Sequence, residues 1–253
     1  MVCAGGSLGI LIPPSIMLVT LGTYAEVSVG RLFFAAIIPG LILALAYMIY
    51  ILVVCHIFKD WGPAMSPEEL AAMPFRKRVT GSLINLVPPL ILIFAVLGSI
   101  FAGIATPTEA AGMGALFSLI LAICYKQFSW KMMFDSLVDT AKTTAMVFII
   151  LFGAAAFTAI FMSLNGDDII IALVESLGLG KWGALLIFFV IVFIMGCFLD
   201  WTGIVMICMP IFLPIMDMFG FDRLWLCATL AVLMQTCFMT PPFGFALFYI
   251  KGI

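Results

Sequence analysis

Apolar runs long enough to cross a bilayer, separated by short polar stretches, organise this chain from end to end. A helix spanning the hydrocarbon core needs about 20 predominantly apolar residues. Leu32 to Phe58, Ser82 to Ile104, Pro107 to Tyr125 and Thr143 to Leu164 are the clearest such runs. Less regular apolar stretches follow at Trp182 to Leu199, Gly203 to Met216, Leu224 to Met239 and Phe243 to Ile250. An interrupted one, Ser7 to Tyr24, precedes them all. None alternates apolar and polar residues as membrane-barrel strands do, so the pattern predicts an all-α polytopic membrane protein.

The polar stretches set an orientation. Lys59 to Val79 holds Lys59, Arg76, Lys77 and Arg78, and Lys126 to Lys142 holds Lys126, Lys131 and Lys142. Two spans separate these stretches, so both face one side, and their cations make that side cytoplasmic. The second stretch, QFSWKMMFDSLVDTAK, spaces Trp130, Met133, Phe134, Leu137 and Val138 at helical intervals with Asp and Lys between them. It predicts an amphipathic helix lying in the interface over 126–142; the alternative is a cytoplasmic extension of the next span. The facing loop, 165–181, carries Asp167, Asp168 and Glu175 with one Lys. Asp is expected to cap a short helix there, ended by Gly178 and Gly180.

Composition narrows the class. Of the 253 residues, 65% are hydrophobic and 9% charged, and the mean hydropathy is +1.31. A soluble domain is typically about half apolar and about a quarter charged. So few charges cannot coat a water-facing surface, which excludes an ordinary soluble enzyme and a disordered chain. The net charge of -2 offers no basic patch, so no nucleic-acid partner is expected. The 7 cysteines form no Cys-x-x-Cys and read as small hydrophobes. His56 stands at the inner end of a span without a nucleophile or metal cluster, so nothing supports hydrolytic or transition-metal chemistry.

Polar and helix-breaking residues at membrane depth are costly, and they mark candidate sites. In Gly5-Gly6-Ser7-Leu8-Gly9-Ile10-Leu11-Ile12-Pro13-Pro14-Ser15, tandem prolines lack N–H donors and push the preceding residue out of the helical region. This segment predicts two half-helices joined by an unwound stretch, with freed carbonyls near Gly9 and Ile12 and Ser15 capping the second half. Transporters use such carbonyls, beside a helix N-terminus, to hold a cation and an anionic substrate together. The bland alternative is a proline kink with no ligand.

The run Gln235-Thr236-Cys237-Phe238-Met239-Thr240-Pro241-Pro242-Phe243-Gly244 repeats the device, and GILIPPS and CFMTPPF match at both prolines. Loop parity runs the two broken helices in opposite directions, which indicates an inverted-topology repeat. Pro88-Pro89 lacks glycine and hydroxyl neighbours and reads as a kink. Asp200, in GCFLDWTG, sits between long apolar arms, the second shortened by Pro210 and Pro214. It reads as the tip of a re-entrant hairpin over 182–219, where a carboxylate holds a cation or caps a half-helix; the alternative is a tip that reaches water. In Thr106-Pro107-Thr108-Glu109, Thr106 reads as an N-cap and Glu109 as its capping-box partner, a structural role needing no transport function.

The motifs GGSLGILIPPSI, GIATPTEAAGMGAL, DTAKTTAMVF, GCFLDWTGIVMICMPIFLPI and TPPFGFALF resemble, in order, the large membrane subunit of tripartite ATP-independent periplasmic (TRAP) transporters. The resemblance runs along almost the whole chain. It implies an ion-transporter-superfamily elevator fold with inverted repeats, broken helices and a re-entrant hairpin. It implies sodium-driven import of organic acids such as C4-dicarboxylates or sialic acid. The implied partners are a small TRAP membrane subunit, a periplasmic substrate-binding protein and the lipid bilayer of the bacterial inner membrane. Sodium is the coupling ion, and no cofactor is implied. Family members are longer, with an N-terminal half carrying a first hairpin and a last helix beyond Ile253.

On this resemblance the domains are a first broken helix (1–30), scaffold spans (31–164, with cytoplasmic loop 59–79 and interfacial helix 126–142), an outer loop (165–181), the hairpin (182–219) and a second broken helix (220–253). One cation site is expected at the carbonyls of Gly9, Ile12 and Pro14. A second is expected from Asp200 with Thr236, Cys237, Thr240 and Pro242. Ser7, Ser15, Thr202 and Gly244 are expected against substrate. Two departures stand out: Trp201 follows the Asp where Pro is common, and Cys237-Phe238 replaces a Gly-containing pair. The alternative function is a stand-alone sodium/carboxylate symporter of the same superfamily.

Overall fold

The computed structural model describes residues 2–58, 75–176, 178, 180–241, 244 and 246. Most of the loop at 59–79, Pro242 and the apolar stretch from Phe243 lie outside them, apart from Gly244 and Ala246. Among the described residues every regular element is a helix. The order is α1 (Val2–Leu11), α2 (Ile16–Tyr24), α3 (Val29–Ile57), α4 (Phe75–Phe101), α5 (Pro107–Cys124) and α6 (Trp130–Ser163). Then come α7 (Gly166–Ser176), α8 (Lys181–Gly196), α9 (Trp201–Met218), α10 (Arg223–Leu233) and α11 (Gln235–Met239). Of these, α3, α5, α6 and α9 are long and apolar enough to cross a membrane, and α1 with α2 passes the same test as a pair bent by 42°. The chain is thus an all-α, multi-pass membrane protein.

The helices group into two compact units, Leu45–Met133 and Met1–Ala44 with Phe134–Ile253. In the first, α4 packs on α5, with Gly114 facing Val96 so closely that a Cβ would stand 3.3 Å from its methyl. The turn between them is set by Gly103 (φ +69), a conformation that L side chains resist. Thr106 then caps α5. Its hydroxyl accepts from Glu109 N, its own N–H donates to Glu109 Oε2 at 2.8 Å, and the capping box is complete.

The second unit is built around α9. Eleven of its residues are buried, and the stripe Gly203, Ile207, Pro210, Pro214 and Asp217 is the face that is not. So wide an apolar face must be covered by other helices, and α9 packs against α2, α7 and α8. From α8 the buried positions are Ala184, Leu185, Phe188, Val192 and Gly196, a stripe at four-residue spacing. Phe188 meets Phe212 of α9 with ring centroids 4.7 Å apart. From α2, Met17, Leu18 and Leu21 are fully enclosed, and α2 also packs on α10. By contrast only 6% of the best apolar window is buried in α3, α5 and α6, against 61% in α9. Those three spans therefore show apolar flanks, as lipid-facing helices do.

Two expectations are corrected. The stretch 126–142 is not a separate interfacial helix: its helical part runs unbroken into the next span as the 34-residue α6. At 1.5 Å per residue α6 is about 51 Å long, well beyond a hydrocarbon core of about 30 Å. No glycine or proline stands between Trp130 and Phe152 to stop it, so the amphipathic part is an extension of the span. Nor do Pro210 and Pro214 shorten the second arm of the hairpin. Both lie inside α9, which continues to Met218 because packing on α8 and α2 outweighs the missing donors. A smaller difference is at α7, which begins at Gly166 after Asn165 in the left-handed region (φ 54), so Asp167 stands within the first turn.

Some charges sit at helix ends. Arg223 forks onto Asp217 at 2.6 and 3.1 Å, reaches Ala25 O at 3.1 Å and lies 3.6 Å from Glu26. One guanidinium thus ties the α9–α10 turn to the end of α2. Arg223→Met is expected to lower the thermal unfolding midpoint of the detergent-purified protein. Arg223→Lys is expected to recover only part of the loss, because an ammonium cannot fork Asp217 and reach Ala25 together. Equal midpoints for all three proteins would contradict this.

Candidate functional site

The first break begins with what prolines cannot do. In a continuous helix the Gly9 and Ile10 carbonyls would accept from residues 13 and 14, and both are prolines without an N–H. Helix α1 therefore ends at Leu11, with its last such bond from Ile12 N to Leu8 O at 2.9 Å. Ser15 repairs part of the gap. Its hydroxyl donates to Ile10 O and accepts from Leu18 N, which makes it the N-cap of α2. The Gly9 carbonyl has no helical donor. A Cβ on Gly5, Gly6 or Gly9 would meet nothing within 4 Å, so this face of α1 is open. Pro88 and Pro89, by contrast, lie inside α4. No hydroxyl follows them to cap a new helix, so the helix runs through.

The second break follows the same logic. Thr240 N and Thr240 Oγ1 both donate to Thr236 O, at 2.9 and 2.6 Å, and Thr236 Oγ1 donates to Leu233 O at 2.7 Å. Helix α11 stops at Met239 ahead of Pro241. Both threonine hydroxyls thus spend their proton on the helix and keep lone pairs, the arrangement a hard cation requires. Gly244, buried with φ 31, donates its N–H to Thr240 O at 3.1 Å.

Asp200 lies in the short link between α8 and α9, which pack as the two arms of a hairpin. Its carboxylate caps α9, accepting from Thr202 N at 3.4 Å and from Thr202 Oγ1 at 2.9 Å through Oδ2. One turn earlier, Gly196 lies on Cys237: a Cβ there would overlap Cys237 Sγ and stand 3.2 Å from its Cβ. The absent side chain at Gly196 is what leaves room for Cys237 on the facing helix. The second broken helix also meets the first, since α1 packs on α11 and Cys3 Sγ donates to Ala246 O at 3.5 Å.

The sequence-predicted residues therefore fall into two groups. Gly9, Ile12, Pro14, Ser7 and Ser15 lie on the first broken helix. Thr236, Cys237, Thr240 and Gly244 lie on the second, with the hairpin end bearing Asp200 and Thr202 set against it through Gly196. The Asp200 carboxylate bonds Thr202, while the Thr236 and Thr240 hydroxyls bond their own backbone. Pro242 lies outside the described residues. Among the described residues, the buried polar or charged side chains are Ser7, Ser15, Thr202 and Gln235. Ser15 and Thr202 stand at the first break and the hairpin tip, while Ser7 and Gln235 lie on α1 and α11, the helices that run into the two breaks. Gln235 is the residue the sequence reading missed. Extending the GILIPPS–CFMTPPF register two residues toward the N-terminus would have found it, opposite Ser7.

The donor set is hard oxygen: a carboxylate, hydroxyls and carbonyls without helical donors. It suits an alkali cation better than a transition metal, and no cluster of three His, Cys, Asp or Glu occurs among the described residues.

Comparison with known proteins identifies the family to which this architecture belongs. The family described as "Tripartite ATP-independent periplasmic transporter, DctM component" matches residues 1–253. The C4-dicarboxylate TRAP transporter large permease protein DctM of Pseudomonas aeruginosa is 35% identical over 254 residues, covering 100% of this chain and 57% of that protein. The isethionate TRAP transporter permease protein DctMQ of Oleidesulfovibrio alaskensis is 32% identical over 253 residues, 100% of this chain and 39% of that protein. The sialic acid TRAP transporter large permease protein SiaM of Vibrio cholerae is 27% identical over 260 residues, 97% of this chain and 56% of that protein. The chain thus spans roughly half the length of the curated relatives it matches.

The Gly196–Cys237 contact makes a direct test. Gly196→Ala is expected to destabilise the purified protein by about 1–3 kcal/mol through overpacking. Adding Cys237→Gly should recover most of that loss. Additive losses in the double variant, measured by thermal or denaturant unfolding, would refute the contact.

Proposed function

Because the chain belongs to the DctM-component family of TRAP transporters, we propose that it forms the ion- and substrate-handling part of a sodium-coupled permease. The permease imports a small organic acid handed over by a periplasmic binding protein. It works in the bacterial inner membrane with a small membrane subunit. C4-dicarboxylate, isethionate and sialic acid, named for relatives, set the expected class: a compact oxyanion.

One observation supports this reading above the others. The buried polar side chains gather along the two broken helices and at one hairpin tip inside an otherwise apolar unit. Buried polar groups are costly and persist where they bind something. In this reading the Gly9, Ile12 and Pro14 carbonyls serve one sodium ion. Asp200, Thr236, Cys237, Thr240 and Pro242 serve a second, with Ser7, Ser15, Thr202 and Gly244 facing substrate. Sodium offsets the substrate charge, since an unpaired anion at low dielectric costs several kcal/mol. The hairpin and both broken helices then move together as an inverted-repeat elevator body. The apolar flanks of α3, α5 and α6 face lipid and the small subunit.

Asp200→Asn separates charge from structure. Asparagine is as good an N-cap as aspartate, so α9 keeps its start while the cation ligand loses its charge. Sodium-dependent uptake by the reconstituted transporter should fall at least about tenfold, the scale of a lost charged interaction. Unchanged uptake with unchanged sodium dependence would sink the site assignment. Uptake of free substrate without any binding protein would favour a stand-alone symporter instead.

A further inference from the structure

Among the described residues, three buried side-chain atoms lack a hydrogen-bond partner: Thr158 Oγ1, Gln235 Oε1 and Gln235 Nε2. A helical threonine can turn its hydroxyl to a carbonyl one turn back, so Thr158 has a local remedy. Gln235 is different. It is 2% exposed, and both ends of its carboxamide are unspent. A carboxamide carries two N–H donors and an acceptor oxygen. Burying it unpaired is among the costlier choices a membrane core can make, and each such group calls for an explanation.

Its place supplies one. Gln235 opens α11, the segment that runs into the second proline break, and α11 packs on α1, α8 and α10. It precedes Thr236, and Cys237 beyond it touches Gly196 at the hairpin end. In the register that superposes the two Pro-Pro pairs, its counterpart is Ser7, also buried, on α1.

We propose that the Gln235 carboxamide is a shared ligand of the transport site. Its Oε1 faces the coupling cation, and its Nε2 donates to an oxygen of the transported oxyanion, a carboxylate or sulfonate. The choice follows from both ends being free. A cation alone would leave two buried N–H groups unpaired, and an anion alone would strand the oxygen. The cation and the anion together engage both ends, so Gln235 binds them as one neutral unit. This rests on the sodium-coupled carrier reading above.

The test uses the complete transporter, with its small subunit and binding protein, in proteoliposomes. The wild type is measured first. Gln235→Met keeps the shape and removes both polar ends. It should raise the half-saturating sodium and substrate concentrations together, each roughly tenfold or more, as expected for a lost hydrogen bond to a charged group. The ligand-free unfolding midpoint of the same variant should stay level or rise, because an unpaired buried amide has been removed. Gln235→Glu keeps the oxygen and loses the donors. It should raise half-saturation for substrate but leave that for sodium level or lower. A lowered midpoint for Gln235→Met would make Gln235 a structural residue and overturn the inference. So would unchanged half-saturation values, or a rise in only one of them. A wild type without sodium-dependent uptake would overturn the carrier reading itself, whereas an active wild type with an unaffected variant overturns this inference alone.

Discussion

In hydrocarbon, every backbone N–H and C=O must find its partner within the protein. Tandem prolines break that requirement at fixed places. At Pro13-Pro14 they deny donors to the carbonyls of Gly9 and Ile10, and one hydroxyl, from Ser15, makes good part of the loss. At the second break the Thr236 and Thr240 hydroxyls donate to the Leu233 and Thr236 carbonyls. What remains is a set of oxygens with unused lone pairs inside an apolar body. The rest of the second unit serves to enclose that exception.

Enclosure is the work of α9. Its wide buried face holds the α8 stripe, α2 and α7 against it. The broken helices can thus keep non-helical backbone away from lipid. Glycine and cysteine set the closest approach, since Gly196 admits the Cys237 side chain where two larger residues would collide. The spans α3, α5 and α6 answer a different requirement. Their mean hydropathies of 2.6, 1.5 and 2.5 go with little burial, so what they offer is apolar surface.

The scarce charges divide along the same line. Lys181 donates to Gly220 O at 2.7 Å and lies over the Phe221 ring, beside Trp182 and Trp225. Arg223 clamps the neighbouring turn to the end of α2. Aromatic rings and long cationic side chains are at home where a membrane meets water. Asp200 is spent on capping α9, close to the second break through Gly196. In the second unit these charges stand at helix ends, whereas α6 carries Asp135, Asp139 and Lys142 along its first turns.

Much of this was legible in the sequence, because its causes are local. Run length fixes a span, a missing N–H fixes a break, and Ser15, Thr106 and Asp200 cap helices through bonds to residues two to three positions on. The continuity of α6 and the passage of α9 through Pro210 and Pro214 were not legible, since cooperative helix propagation and packing overrode local signals. Nor could spacing show that Gly196 faces Cys237, or that Gln235 is buried with both polar ends unspent. Which residues could form a site was written in single residues and their near neighbours. Which of them meet was decided by how α1, α8, α9 and α11 pack, because contacts between distant segments depend on interhelical fit that no local pattern encodes.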